Sequence, residues 1–156
     1  MSTPIAGDPA PDVTFSGPDG AVRLLDAAAQ GTLVLAFFQE AGTPACEGEL
    51  RGFVSEYDLL RELGGQVLAV SVDPPDAQRR FAASLAAPFP ILSDPEGAAA
   101  RAFGVYDDAS RRANRAVFVI DEHGTITLAI PWYNAQNSAQ LAEVFAALGL
   151  EPGAGF

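Results

Sequence analysis

Two hydrophobic rhythms alternate along this chain. Residues 32–39 (TLVLAFFQ) are apolar almost throughout, the pattern of a short strand covered on both faces. From 44 to 63 the spacing becomes helical: Leu50, Phe53, Val54 and Tyr57 fall on one stripe, and Gly64-Gly65 ends it. Residues 66–72 (QVLAVSV) read as a second buried strand. A helix over 74–86 follows, with Ala77, Phe81 and Leu85 inward, and another short helix begins at Pro95 and closes near Gly104. Residues 116–120 (AVFVI) form a third strand, and DEHG at 121–124 turns it into TITLAI. A last helix over 138–148 buries Leu141, Val144, Phe145 and Leu148 before Gly149 stops it.

One start signal occurs three times, at Thr43-Pro44, Asp73-Pro74 and Asp94-Pro95. Each offers an N-cap side chain followed by a proline at the first helical position. The order β–α–β–α–(α)–β–β–α predicts an α/β protein: a central mixed sheet with helices on both faces, one parallel crossover early and an antiparallel hairpin late. That is the thioredoxin-like arrangement. The first thirty residues add a β-hairpin extension turning at PDG, residues 18–20. With no repeat, low-complexity tract or linker, residues 1–156 read as one domain.

Charge and composition narrow the function. Nine basic residues against twenty acidic ones give a net charge of −11, which repels phosphate backbones and anionic lipid; nucleic acid and membrane partners are set aside. Mean hydropathy is +0.16, yet no apolar run approaches a membrane span. The N-terminus lacks a basic n-region and an apolar h-region, so a cytoplasmic protein is expected. With one histidine, His123, placed in a turn and given no role, neither metal nor cofactor is expected. Trp132 reads as a packing residue.

The chain has one cysteine, Cys46, so no internal disulfide is possible. If Thr43 caps the helix, Cys46 occupies its third position, where unpaired N–H groups and the helix dipole favour negative charge. Such sites lower thiol pKa and favour the nucleophilic thiolate. A structural reading stands beside it: Cys46 lies four residues before Leu50 on the apolar stripe, and cysteine is often core. Glu40, Glu47 and Glu49 are close in sequence, and carboxylates oppose a thiolate. An activated thiol therefore needs a cation from elsewhere. Arg115 is the candidate, although taken alone it reads as a solvated strand-end residue rather than a site residue.

Thr43-Pro44-Ala45-Cys46 after an aromatic-rich strand resembles the active-site loop of the peroxiredoxins, Pro-x-x-x-Thr/Ser-x-x-Cys. CEGEL at 46–50 is similar to the one-cysteine branch of the alkyl hydroperoxide reductase E type, and Glu49 stands where that and the bacterioferritin-comigratory branch often carry Glu or Gln. GDPAPDVTF, AVSVDPPDAQRRFA, FPILSDPEGAAARAFGV and NRAVFVIDEHGTI resemble other family segments in the right order, and Arg115 matches the family arginine. The likeness covers residues 7 to 130. One position departs: the motif proline, which packs over the thiol, is Gln39 here. A glutamine can cover the thiol, add a donor near the peroxide, or accompany a loss of peroxidase function.

The resemblance implies a thiol peroxidase in which Cys46 attacks a hydroperoxide and becomes sulfenic acid. Thr43 and the amides of Ala45 and Cys46 would hold the peroxide, Pro44 having no N–H to offer. Arg115 would stabilise the thiolate and the leaving oxygen, and Glu49 would either orient Arg115 or merely support the first helical turn. Position 43, where a thioredoxin carries its attacking cysteine, is Thr, and position 51, where some peroxiredoxins carry a resolving one, is Arg. The implied enzyme is of the one-cysteine type, regenerated by a low-molecular-weight thiol or a thioredoxin- or glutaredoxin-type protein. The family also implies a homodimer, through a sheet edge or the active-site face. The competing readings are a peroxidase-inactive binding module or thiol redox sensor, and a thiol-transfer protein forming mixed disulfides.

Overall fold

The computed structural model describes residues 3–94 and 96–149. Its strands are β1 (Thr14–Gly17), β2 (Gly20–Arg23), β3 (Leu33–Phe37), β4 (Gln66–Ser71), β5 (Ile91–Ser93), β6 (Tyr106–Asp107), β7 (Arg112–Ala113), β8 (Ala116–Ile120) and β9 (Ile126–Ile130). Its helices are α1 (Leu24–Ala28), α2 (Pro44–Ser55), α3 (Tyr57–Glu62), α4 (Pro75–Leu85), α5 (Ala98–Ala102) and α6 (Ser138–Ala147). Seven strands form one sheet in the order β2-β1-β5-β4-β3-β8-β9, and β6 pairs with β7 apart from it. The central β3, β4 and β5 are parallel, whereas β8 and β9 run antiparallel beside β3. This is the thioredoxin-like fold, with the expected hairpin β1–β2 added at one edge through the antiparallel contact of Ser16 with Ser93.

Alternation along β3 divides the core. Leu33, Leu35 and Phe37 face one side with Phe103, Phe118 and residues of α1 and α5; Val34, Ala36 and Phe38 face the other with Leu50, Phe53, Leu60, Phe81 and Phe145. Phe118 lies 4.8 Å from Phe103 and 6.1 Å from Phe37, ring centre to ring centre, and such pairs add about 0.5–1.5 kcal/mol each beyond area burial. Every residue of β3 and β8 is buried, which is why both segments read as unbroken apolar runs. No helix among the described residues is long and apolar enough to cross a membrane.

Several expectations are corrected. The helix read over 44–63 is two helices joined at Glu56, whose ψ of 9° departs from helical geometry. The hydrogen-bond ladder nevertheless crosses the joint, from Glu56 N–H to Gly52 and from Leu60 N–H to Glu56. The weak helix formers Gly52 and Ser55 lie just before this kink. Asp73 does not cap α4: Pro74 takes the N-cap position and Pro75 the first helical one, because the Asp73 carboxylate is engaged across the chain. The helix expected from Pro95 starts at Ala98, after Gly97 in a left-handed conformation; residue 95 itself lies outside the described residues. Asp94 still serves that helix, accepting from the amides of Ala99 and Ala100. The short α1, β5, β6 and β7 carry too few residues to show a period. Leu141 and Leu148 are half-buried, while Val144 and Phe145 enter the core.

Candidate active site

β3 ends at Phe37, and residues 38–43 lead from it into α2. Thr43 is the N-cap by backbone conformation and Pro44 follows at the first helical position, as the sequence predicts. The Thr43 hydroxyl makes no cap bond. It donates instead to the Glu40 carbonyl at 3.1 Å, tying the loop to itself. The amides of Ala45 and Cys46 therefore donate nothing to the Thr43 side chain and remain available in the first turn. Pro44 and Ala45 are exposed, while Cys46 turns inward and is 0% exposed. Its Sγ accepts a hydrogen bond from the backbone N–H of Gln39 at 3.2 Å.

The carboxylates that oppose a thiolate on paper are largely neutralised. Glu47 pairs with Arg51 one turn along α2 at 2.6 Å, and Glu40 lies 3.6 Å from Arg112. Glu49 behaves differently. It lies beyond the first turn, is 1% exposed, and neither carboxyl oxygen has a hydrogen-bond partner. Burial pushes its pKa well above the usual 4.5; charge on Cys46 raises it further, and the Arg115 guanidinium pulls it back. Of the two roles open to Glu49, the carboxylate–guanidinium pair is thus not closed, and Arg115 acts on Glu49 through space.

This burial has a measurable consequence. In the unfolded chain Glu49 ionises near its usual 4.5, whereas in the fold it keeps its proton to higher pH. Between those limits the native state binds the extra proton, so stability falls with rising pH by about 1.4 kcal/mol per unit until the native group ionises. Glu49→Gln removes that slope. Urea melts from about pH 5 to about pH 8 are expected to show the variant gaining on the parent as pH rises. A gap that does not change with pH would count against a buried, protonated Glu49.

The antiparallel pairing of β3 with β8 sets Phe37 opposite Ala116, so the start of β8 lies at the end of β3. Arg115 immediately precedes β8 and is half-buried beside the Cys46 loop. Its carbonyl accepts from the Tyr133 N–H at 2.8 Å. Tyr133 stacks on Phe53 of α2 with ring centres 5.7 Å apart, and burial followed by the charge of Glu49 pushes its phenol up to about 12. Gln39, Asn114, Arg115, Trp132, Tyr133 and Asn134 border an open cavity of about 380 Å³. Trp132 is 70% exposed, so the packing role expected for it is not what the fold uses.

Four residues here escaped the sequence reading: Tyr133, Asp73, Arg112 and Asn114. Asp73 Oδ2 accepts from the Ala41 amide at 2.8 Å and from the Ser71 hydroxyl at 2.6 Å. Arg112 Nη1 donates to Asp73 Oδ1 and to the Gln39 carbonyl, each at 3.2 Å. Asp73 carries the signature of a helix cap, and nothing in the run RRANR distinguishes Arg112 from Arg111. His123 is exposed in its turn, as expected.

The model of the AhpC/TSA family matches residues 6–129. Alkyl hydroperoxide reductase E of Mycobacterium tuberculosis is 35% identical over 119 residues, covering 75% of this chain and 72% of that protein. Peroxiredoxin Bcp of Escherichia coli K12 is 34% identical over 128 residues, covering 78% and 81%. Among solved structures, the peroxidoxin BcpB of Mycobacterium tuberculosis superposes with a TM-score of 0.84 at 28% identity, over 92% of this chain and 96% of that one.

Proposed function

This chain belongs to the AhpC/TSA family of peroxiredoxins, and from that premise we propose that it is a one-cysteine thiol peroxidase acting on hydrogen peroxide or organic hydroperoxides through Cys46. The observation that carries the reading is Cys46 itself: a sealed thiol in the first turn of a helix, its sulfur held by a main-chain donor. The thiolate attacks the terminal hydroperoxide oxygen. The S–O bond forms as the O–O bond breaks, leaving Cys46 sulfenic acid and an alkoxide or hydroxide that takes up a proton. Ala45 and Cys46 amides are the donors for the peroxide oxygens, and the Thr43 hydroxyl joins them by rotating away from the Glu40 carbonyl it serves in the resting site. Arg115 supplies positive charge to the thiolate and the leaving oxygen. Burial biases the Glu49 carboxyl toward its neutral form and so lessens the negative charge that opposes the thiolate.

With one cysteine in the chain, regeneration falls to an external thiol. One equivalent forms a mixed disulfide with Cys46 and releases water; a second releases the free thiol and a disulfide. Without reductant, further peroxide carries the sulfenic acid to sulfinic acid.

The test is stopped-flow mixing of the reduced protein with hydrogen peroxide, following Trp132, the single tryptophan, which borders the same cavity as Arg115. Fast conversion is expected, far above that of a free thiol at the same pH, with an intact-mass gain of one oxygen and then a second. A rate no better than a free thiol's would sink the peroxidase reading and leave a slow sensor or binding module.

A further inference from the structure

Gln39 stands where the family motif has proline, and a proline has no N–H. In this chain the N–H of residue 39 is directed at the sulfur of Cys46, 3.2 Å away. We propose that the main-chain amide of Gln39 is a catalytic group of this peroxidase, a thiolate donor that the motif proline cannot supply, held in place by Arg112 and Asp73. The proposal rests on the peroxidase reading for its catalytic sense, while its chemistry can be measured on the thiol alone.

The amide does not reach Cys46 by chance of a mobile loop. Arg112 Nη1 holds the Gln39 carbonyl, and Asp73 holds both Arg112 and the amide of Ala41, two residues further on. Asp73 is fixed in turn: its Oδ2 accepts from Ser71 Oγ, which itself accepts from Gln78 Nε2 at 2.8 Å. Gln78 also donates to the Leu92 carbonyl at 2.7 Å, and both Gln78 and Ser71 are buried. Asp73, just after β4, and Arg112 of β7 thus hold the segment 39–41, with Ser71 of β4 and Gln78 of α4 bracing Asp73, and that segment presents one N–H to the sulfur. A donor held before the reaction strengthens most as negative charge gathers on its acceptor, so it favours thiolate over thiol. The sulfur stays covered without the proline: with Cys46 0% exposed, the exposed Gln39 side chain is not needed to hide it. Arg112 is a positioning residue, since it acts on the sulfur through Gln39.

The experiment titrates Cys46 by thiolate ultraviolet absorbance in the parent, Gln39→Pro and Gln39→Ala. A hydrogen bond to a charged acceptor is worth on the order of one pH unit, so Gln39→Pro is expected to raise the midpoint by about that much, a roughly tenfold loss of thiolate at a given pH below it. Gln39→Ala keeps the N–H and is expected to move the midpoint less. Equal shifts in the two variants would give the effect to the side chain and overturn the proposal. Arg112→Ala is expected to raise the midpoint in the parent and to add nothing in the Gln39→Pro background; full additivity would remove Arg112 from this role. Should Gln39→Pro fail to fold, the backbone amide resonance of Gln39 in the unmodified protein decides. It is expected to titrate with the thiolate midpoint, and a resonance indifferent to it would overturn the proposal. Because these titrations use no peroxide, a chain that obeys them yet turns over no peroxide would refute the peroxidase reading alone. A competent peroxidase whose thiol ignores Gln39→Pro would refute this inference alone.

Discussion

Cys46→Ser is expected to reduce peroxide turnover to the background of the reductant alone. A serine hydroxyl in the same place has neither the accessible anion nor the polarisable sulfur that attacks a peroxide oxygen, and the chain has no second thiol to stand in. The fold should survive the change. A hydroxyl is smaller than a thiol, and it can still accept from the Gln39 amide, so the cost is about 1–2 kcal/mol for a buried, partly satisfied polar group. Peroxide consumption in the presence of a dithiol measures the first effect, intact mass after peroxide checks that no oxygen is gained, and a urea melt reports the second. Turnover that persists in a folded Cys46→Ser protein would place the chemistry elsewhere and end the one-cysteine mechanism.

Arg115→Ala is expected to slow the reaction with peroxide by about 10²–10³, the usual loss when a fixed donor or charge is taken from developing negative charge. Two other arginines near the loop are already engaged, Arg51 with Glu47 and Arg112 with Asp73 and Glu40. Arg115→Lys should recover part of the rate, because a lysine keeps the charge but loses the planar fork. The same substitution carries a second signature. Arg115 is the group that draws the Glu49 pKa downward, so its removal lets Glu49 hold its proton to still higher pH. The decline of stability with pH should then extend further upward than in the parent. Single-turnover rates by stopped-flow and urea melts across pH read the two effects separately. An unchanged rate constant would take Arg115 out of the site, and an unchanged pH slope would uncouple it from Glu49.

Much of this protein was decided locally and is legible in the sequence. The unbroken apolar runs became β3 and β8 because both are covered on two faces. Thr43-Pro44 starts α2 where a proline at the first helical position must, and that places Cys46 in the first turn whatever the rest of the chain does. The turns at 18–20 and 121–124 follow from residues suited to them. Where two uses of one residue type compete, local reading failed. Asp73 has every mark of a cap, but a partly buried arginine, a hydroxyl and a loop amide outbid its own helix.

The sequence by itself determined the long strands β3, β4 and β8, the start of α2, the absence of any second cysteine and the position of the thiol within its helix, since each depends on neighbours a few residues away. The tertiary structure alone decided which charges come to the loop that carries that thiol. Antiparallel pairing of β3 with β8 brings Arg115 to the Cys46 loop across more than sixty-five positions of chain (115 − 46 = 69). Packing seals Glu49 away from water, and the β7 hairpin delivers Arg112 to the carbonyl of Gln39. Sequence spacing carries no information about such encounters. Charge and hydrogen bonding act through distance in space, and only the closed sheet sets those distances.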